Sequence, residues 1–328
     1  MYRSTLVLLL LVLSITSANG VTSYHIGNSL TYDSVRGLDP NGLSMGYHVD
    51  TAKPLHVLWS DPNGVDFTVP SFWPTALLQS WDAVTLQPHN SFGSTLGDDV
   101  TNVENFVGYA TDVGQFYVLS PWVKKTNWPY SDHWTSESID SLTTSTQKKR
   151  AYFDNLMNRL DDVWMVPTGE VFFELDQRGI DLEPFYRDYS HLSFDLGRYV
   201  ATATLLSTTR RYHPSNVTPW DPIDGELLST IHETIWDVIT SHPWSGYSDF
   251  NVDGVIDGDD LTTWESSGRG GEDFLAWQRQ YRDVPPLPLS SGGGASSATS
   301  SEVPEPATGV MALMVLTMLH RRPRSHAA

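Results

Sequence analysis

The sequence predicts an α/β fold in which helices cover both faces of a parallel sheet of about five strands. Between residues 29 and 206, short runs rich in β-branched and aromatic residues alternate about five times with loops or with segments of helical apolar spacing. Strands that are separated by helices pair in parallel through right-handed crossovers. The alternation therefore predicts a layered domain with its helices on both sides of the sheet.

Each strand is predicted from a short apolar run that ends in Gly, Pro or polar residues. Residues 55–59 continue the apolar character of the second strand, and residues 61–74, rich in Pro, Gly and aromatic residues, are predicted as a surface loop. The predicted strands span residues 21–26, 46–52, 83–86, 115–119 and 163–167, and the predicted helices span residues 95–109, 146–160, 170–178 and the segment from residue 194 onward.

Composition limits the possible classes of function. The 328 residues include 40% hydrophobic residues, which is enough for a sizeable core. There is no cysteine, which excludes disulfides and thiolate metal sites. The formal net charge of −19 argues against nucleic acid or anionic membranes as partners.

The chain is predicted to contain five segments. Residues 1–20 resemble a secretory signal peptide, because Arg3 supplies the positive end, residues 6–13 the apolar run and residues 18–20 a small-residue cleavage site. An exported protein is therefore expected. The main domain is predicted at residues 21–247, a second module at 248–283, a Pro- and Ser/Gly-rich linker at 284–302, and a tail at 303–328.

The first candidate catalytic residue is Ser29, which follows the first predicted strand in the sequence Gly27-Asn28-Ser29. Glycine permits a sharp turn. If a helix begins at Leu30 or Thr31, its free backbone N–H groups would point toward whatever group binds at the serine hydroxyl. Gly-Asn-Ser is also an ordinary turn. The pattern gains weight only from residues far downstream.

Asp188 and His191 complete a possible proton relay. They lie three residues apart in one loop, immediately before a predicted helix. A histidine can accept a serine proton, and an aspartate can hold the other ring nitrogen. The chain order is Ser, Asp, His.

These blocks resemble the SGNH (GDSL-like) hydrolase family of serine esterases. The resemblance implies a flavodoxin-like three-layer sandwich, with Ser29 as nucleophile and Asp188 and His191 as its partners. The family's third block, Gly-x-Asn-Asp, is absent from this sequence. The resemblance therefore implies an oxyanion site built from the Ser29 backbone N–H and from an amide of Gln87 or Asn90.

Aromatic residues after predicted strands suggest a carbohydrate substrate. Rings stack on the apolar faces of sugars, and Trp122, Trp128 and Trp134 are the candidate substrate-binding residues. The alternative is that these tryptophans are packing residues. His25 and His89 are candidates to flank the site, although a lone histidine beside a strand is more often structural.

Glu170 and Glu174 form a carboxylate pair of the kind found in glycosidases. They lie one helical turn apart, so they cannot easily flank a bond from opposite sides. A solvated face or the rim of a site is the expected place for them.

Residues 249–260 have the spacing of a calcium loop. Oxygen-bearing side chains occupy positions 1, 3, 5, 9 and 12, and Gly254 lies at position 6. Position 12 is Asp instead of Glu, so the segment resembles a dockerin, and its second repeat is shortened. One Ca²⁺ is expected, and the candidate ligands are Asp249, Asn251, Asp253, Val255, Asp257 and Asp260.

The C-terminal tail has three parts. Pro304-Glu305-Pro306 precedes an apolar run at residues 307–319 and the basic cluster at 321–324. This tail resembles a PEP-CTERM sorting signal, which implies exosortase-type processing and a location in the cell envelope or outside the cell. The dockerin resemblance implies a cohesin-like partner, with a structural spacer as the alternative.

Together these features predict an exported serine esterase that acts on acyl esters, in the first place acetyl esters, of polysaccharides. No cofactor is expected for catalysis. The main alternative is a non-catalytic carbohydrate- or surface-binding protein on a degenerate scaffold. A further alternative is an assembly component, in which deletion of residues 248–283 would abolish function while leaving the fold and any esterase activity intact.

Overall fold

Five parallel strands and one short antiparallel strand form the central sheet of the computed structural model, which describes residues 22–36, 45–63, 67–69, 72–88, 94–123, 145–251 and 255–283. The sheet order is β3-β2-β1-β4-β5-β6, and β3 pairs with β2 at the edge in the antiparallel sense. Without β3, the order is that of a flavodoxin-like sheet. The strands are β1 (Ser23–Gly27), β2 (Met45–Val49), β3 (Phe67–Val69), β4 (Ser80–Leu86), β5 (Asp112–Leu119) and β6 (Val163–Val166).

Two hydrophobic layers separate the sheet from its helices. Alternate residues of the strands face opposite layers, as Ala83 and Val84 of β4 illustrate. One layer contains α1 (Ser29–Val35), α6 (Thr168–Gln177), α7 (Leu196–Arg210) and α8 (Gly225–Ser241); the other contains α2 (Leu55–Ser60), α3 (Trp73–Ala76), α4 (Leu96–Tyr109) and α5 (Ser145–Met157). The predicted α/β fold is confirmed.

The edge of the sheet beyond β2 differs from the sequence prediction. Residues 55–59 do not extend β2 but belong to α2, which begins after Pro54 and buries Leu55 and Leu58 on one face. The spacing of three between these leucines is helical and gives the reason for the difference. Within residues 61–74, which were predicted as a surface loop, β3 and α3 form instead.

The segment after residue 247 packs against the main domain. It contains α9 (Gly258–Ser267) and α10 (Gly271–Asp283), and its side chains Phe250, Ile256 and Ala276 belong to the same hydrophobic layer as α7 and α8. The predicted boundary at residue 248 therefore lies within a shared core. The signal segment, linker and tail fall outside the described residues.

The side chain of Gln280 fixes α10 to the end of α8. It is fully buried, and its Nε2 donates hydrogen bonds to the carbonyl oxygens of Ile239 (3.1 Å) and His242 (3.1 Å) and to Ser245 Oγ (2.6 Å). Its Oε1 accepts from the Ser248 N–H at 2.8 Å. In the ranges that the structure describes, no helix is both long and apolar enough to cross a bilayer.

Candidate active site

Ser29 lies at the sharp turn between β1 and α1. Gly27 ends the strand, and Asn28 caps the helix because its Oδ1 accepts the N–H of Leu30 at 3.0 Å. Ser29 is the first helical residue and is partly exposed. The local sequence thus places the hydroxyl at the carboxyl end of a central strand, where ligands bind in open α/β sheets.

Gln87, which follows β4, forms hydrogen bonds to the turn that carries Ser29. One of its side-chain atoms accepts hydrogen bonds from Asn28 N (3.3 Å), Thr31 N (3.2 Å) and Thr31 Oγ1 (2.8 Å). Because two of these partners are backbone N–H groups that only donate, the accepting atom is the amide oxygen. Gln87 is therefore a buried acceptor that fixes the turn.

The backbone N–H of Ser29 differs from its neighbours. The N–H groups of Asn28, Leu30 and Thr31 bond to side chains, and the N–H of Tyr32 bonds to the Asn28 carbonyl. Among the described residues, the Ser29 N–H has no acceptor. One donor therefore remains beside the serine hydroxyl.

The loop that carries Asp188 and His191 is closed at both ends. Tyr186 and Leu192 form an isolated antiparallel bridge, and the Arg187 N–H donates to the His191 carbonyl at 3.0 Å. Asp188 Oδ1 accepts the N–H groups of Ser190 and His191, each at 2.8 Å. The loop is a compact turn that holds both side chains on one side.

This loop brings the three predicted catalytic residues together. His191 Nε2 lies 3.0 Å from Ser29 Oγ, and His191 Nδ1 lies 2.9 Å from Asp188 Oδ2. The histidine side chain is 25% exposed, so the relay lies at the protein surface. Ser29, His191 and Asp188 form a continuous hydrogen-bonded chain.

Hydrogen bonding keeps the Asp188 carboxyl ionised. Partial burial raises the pKa of Asp188, but the backbone N–H groups of Ser190 and His191 and the imidazole outweigh it, so the pKa lies below its usual value. At neutral pH the carboxylate therefore faces the His191 ring and favours the tautomer with a proton on Nδ1. Nε2 is then free to accept from Ser29.

Two predicted roles are wrong. Gln87 is 1% exposed and presents its oxygen to the turn, so its amide is not an oxyanion donor. Trp122 is also 1% exposed and packs near Phe172, so its ring is not available to stack on a sugar. Its indole N–H instead donates to the Ser190 carbonyl at 2.7 Å and supports the loop of Asp188 and His191. Asn90, Trp128, Trp134 and His89 lie outside the described residues.

The other candidates have structural partners. His25 is 1% exposed, and its ring nitrogens lie 2.8 Å from Thr85 Oγ1 and 2.9 Å from Ser23 Oγ. Burial lowers the pKa of His25 to about 3, which keeps it neutral within the sheet. Glu170 is 9% exposed and pairs with Arg150 at 2.8 Å, so it does not lie on a solvated face.

The predicted calcium loop contains carboxylates that already have protein partners. Asp249 Oδ2 accepts the indole N–H of Trp164 at 3.2 Å and pairs with Arg211 at 3.4 Å. Asp260 accepts the N–H groups of Asn251 and Asp257, the latter as part of the capping box in which Asp257 caps α9. Within the described part of the chain, no group of three or more His, Asp or Glu residues could hold a metal.

The described residues cover only part of the predicted calcium loop. Asp253 lies outside them, and Val255 is 50% exposed. Calcium binding stays a prediction.

Sequence comparison finds no relative: no protein-family model matches the chain, and no curated protein matches it. Solved structures do match. A DUF4886 family protein from Bacteroides uniformis is 16% identical, with a TM-score of 0.53 over 67% of this chain and 95% of that chain. This likeness shows a shared fold.

Two enzymes are also among the structures that are similar to this chain. An α/β hydrolase enzyme from the metagenome of Lake Arreo, Spain, is 12% identical, with a TM-score of 0.38 over 59% of this chain and 96% of that chain. An acetyl xylan esterase from Geobacillus stearothermophilus is 13% identical, with a TM-score of 0.38 over 57% and 94%.

The residues that support the loop of Asp188 and His191 were not predicted from the sequence. Asp33 of α1 pairs with Arg198 of α7 and with Arg187; Asp33 and Arg198 are buried, whereas the Arg187 side chain is 28% exposed. The available signal was weak: Asp33 follows Ser29 by four residues, which places both on one helical face. Nothing in the sequence indicated which cations would meet this carboxylate.

Proposed function

We propose that the protein is a serine esterase. The observation that carries this proposal is the hydrogen-bonded chain from Ser29 Oγ through His191 to Asp188, with distances of 3.0 and 2.9 Å. These residues lie at the carboxyl edge of the sheet, where the serine is partly exposed and reachable by substrate. The geometry is that of an activated nucleophile, its base and the group that orients the base.

Acylation begins when Ser29 Oγ attacks the ester carbonyl. His191 Nε2 takes the hydroxyl proton, while the Asp188 carboxylate stabilises the imidazolium. The developing oxyanion accepts a hydrogen bond from the Ser29 N–H, the donor without an acceptor at this turn. The intermediate then expels the alcohol, which receives its proton from His191, and an acyl-serine ester remains.

Deacylation repeats these steps with water. His191 removes a proton from a water molecule, which attacks the acyl carbonyl and releases the carboxylic acid. The proton returns to Ser29 Oγ, so the protein ends in its starting state. Asn90, which was predicted as a second oxyanion donor, stays a prediction for this step.

We infer acyl esters of carbohydrate as the substrate class, with acetyl as the first acyl group to test. Two exposed aromatic side chains close to His191 in the sequence support this choice: Tyr189 is 39% exposed and Phe194 is 64% exposed. Aromatic rings offer apolar faces to sugar rings. These residues take the place of the buried Trp122 as candidates for substrate contact.

The test is reaction of the full-length chain with a fluorophosphonate probe, followed by turnover of p-nitrophenyl acetate. Labelling is expected in the wild type and should be lost in Ser29→Ala and strongly reduced in His191→Ala. A folded wild-type protein that neither labels nor turns over would contradict the esterase. Retained glycan binding in that protein would favour a non-catalytic carbohydrate-binding protein.

A matched substrate comparison tests the carbohydrate class. Tyr189→Ala should raise KM for an acetylated oligosaccharide several-fold while leaving KM for p-nitrophenyl acetate unchanged, because only the larger substrate reaches the ring. Equal effects on both substrates would argue against a sugar contact.

Export, processing of the tail and binding of a cohesin-like partner complete the proposal. They rest on sequence patterns at residues 1–20, 303–328 and 249–260. Sequencing both ends of the protein recovered from its native envelope tests the first two. An intact residue 1 or an intact residue 328 would contradict them.

A further inference from the structure

Asp33 is a fully buried carboxylate on the helix that begins with Ser29. It lies four residues after the nucleophile, one helical turn along the same face. Its partners come from a distant part of the chain, residues 187–198. Burial of a carboxylate is costly unless charge and hydrogen bonds compensate for it, so each contact matters.

Five hydrogen bonds reach the two oxygens of Asp33. Arg198 donates to Oδ1 through Nε at 2.9 Å and through Nη2 at 2.7 Å. Arg187 Nη1 lies 3.0 Å from Oδ1 and 3.2 Å from Oδ2, and the Leu192 N–H donates to Oδ2 at 3.0 Å. Both carboxylate oxygens of Asp33 thus accept hydrogen bonds from residues 187–198.

The partners of Asp33 are the two ends of the catalytic loop. Arg187 immediately precedes Asp188, and Leu192 immediately follows His191. Arg187 Nη1 also donates to the Leu192 carbonyl, which ties the ends to each other. A single carboxylate therefore connects the nucleophile's helix to both sides of the segment that carries its base.

Two rings complete the surroundings of the cations. Phe194 lies 5.0 Å from the Arg187 guanidinium and 4.6 Å from the Arg198 guanidinium, and Tyr32 lies 5.7 Å from Arg198. Arg187 Nε also lies 4.0 Å from Asp188 Oδ2, and the aromatic faces attract both cations. The carboxylate, the two guanidinium groups and the two rings thus form one cluster of mutually favourable contacts.

We propose that Asp33 is a positioning residue that sets the separation of Ser29 and His191; this inference rests on the proposed esterase function. Asp33 does not touch the reacting atoms. It fixes the catalytic loop against α1, and so fixes where His191 Nε2 meets Ser29 Oγ. A misplacement of about 1 Å in such a contact can reduce a rate about 10²-fold.

Asp33→Asn tests the inference. The asparagine amide has the same shape as the carboxylate, but it places an N–H₂ donor where the guanidinium donors need an acceptor. In the full-length chain we expect kcat for p-nitrophenyl acetate and the rate of fluorophosphonate labelling to fall about 10²-fold. KM should change less than about threefold, since no substrate contact is removed. The measurement is made well below the melting temperature of each variant.

Gln280→Leu is the matched control. Gln280 is also fully buried with four hydrogen bonds, yet its partners lie at residues 239–248 and not in the catalytic loop. This variant should melt at a lower temperature while kcat stays within about twofold of wild type. An equal loss of kcat in both variants at matched stability would overturn the positioning role.

Arg187→Lys provides a second test if Asp33→Asn does not fold. The Arg187 side chain is 28% exposed, and lysine keeps the charge but lacks the planar guanidinium whose Nη1 joins Asp33 to the Leu192 carbonyl. A smaller fall in kcat with KM unchanged is expected, and wild-type kcat in this variant would overturn the inference. A folded wild-type chain without labelling would instead overturn the esterase proposal itself.

Discussion

Gln87 and Thr31 are joined by two hydrogen bonds to one oxygen, at 3.2 Å from the Thr31 N–H and 2.8 Å from its hydroxyl. A third bond from the Asn28 N–H completes the coordination of this oxygen. The strand β4 thereby fixes the first turn of α1, and the position of Ser29 depends on a residue that takes no part in the chemistry.

Replacement of Gln87 tests this role. Gln87→Leu leaves three buried donors without an acceptor, so the free energy of unfolding should fall by about 2–4 kcal/mol and kcat should fall with it. Gln87→Glu keeps the accepting oxygens and should be less damaging by both measures, in urea unfolding and ester turnover. If the glutamate variant were the more damaging one, the amide N–H₂ group would be the important part of Gln87.

Gly27 leaves no room for a side chain. A Cβ at this position would lie 2.2 Å from Thr31 Oγ1 and 2.7 Å from Gln87 Cβ. We expect Gly27→Ala to push these groups apart, lower the free energy of unfolding by about 1–3 kcal/mol and abolish most labelling of Ser29. Gly108→Ala is the control, because nothing lies within 4 Å of its added Cβ, and it should be neutral or stabilising by up to about 1 kcal/mol.

Asp188→Asn tests whether the relay requires the negative charge of Asp188 or only its hydrogen bonds. The amide oxygen can still accept the N–H groups of Ser190 and His191, but the negative charge beside the imidazole is lost. We expect kcat to fall about 10³- to 10⁴-fold with little change in melting temperature. Steady-state kinetics above pH 6 measure this fall, and wild-type turnover in the variant would show that the carboxylate is dispensable.

Asp99 predicts a pH dependence of stability. It is fully buried between Ser94 and Tyr152, and burial raises its pKa from 3.8 to about 6 despite these hydrogen bonds. A raised folded-state pKa stabilises the protein below pH 3.8, and this contribution is lost as pH rises through about 6. The loss is about 2–3 kcal/mol.

Comparison with Asp99→Asn isolates this effect. The variant has no ionisable group at this position, so its free energy of unfolding should decline less than that of the wild type between pH 4 and 7. Parallel declines in urea unfolding series at these pH values would show that Asp99 is not responsible.

The packing of α10 predicts that residues 248–283 cannot be removed. Tyr247 is 1% exposed, and its hydroxyl donates to Asp273 Oδ1 at 2.7 Å. The Gln280 side chain of α10 donates to the carbonyl of Ile239 near the end of α8. A chain that ends at residue 247 should be insoluble or lack a cooperative thermal transition, whereas one that ends at residue 286 should melt like the full chain. A stable, active 247-residue chain would restore the picture of a detachable module.

Local patterns were sufficient to predict the sheet and the residues of the relay. Strands such as β5 and helices such as α4 have distinct periodicities, and Ser29, Asp188 and His191 occur in short blocks whose chemistry is recognisable from residue types. Their meeting follows from topology, because parallel strands bring loops from the same end of the sheet together.

The failed predictions concern orientation and burial. Whether Gln87 offers its oxygen or its nitrogen depends on three donors from another part of the chain, and the indole N–H of the buried Trp122 donates to a carbonyl 68 residues away. The role of Asp33 likewise requires Arg187 and Arg198, which lie more than 150 residues downstream. The spacing of residues along the sequence does not predict these contacts between distant parts of the chain.

The separation of 162 positions between Ser29 and His191 has a consequence for biosynthesis. At typical elongation rates, the serine is synthesised roughly 10 to 30 s before the histidine that activates it. The Asp33 cluster also needs Arg198, so the nascent chain bears an inert hydroxyl until most of the domain has emerged. On the proposed esterase function, ribosome-bound chains that stop before residue 187 should therefore not react with the fluorophosphonate probe, and activity would arise late in the life of each molecule.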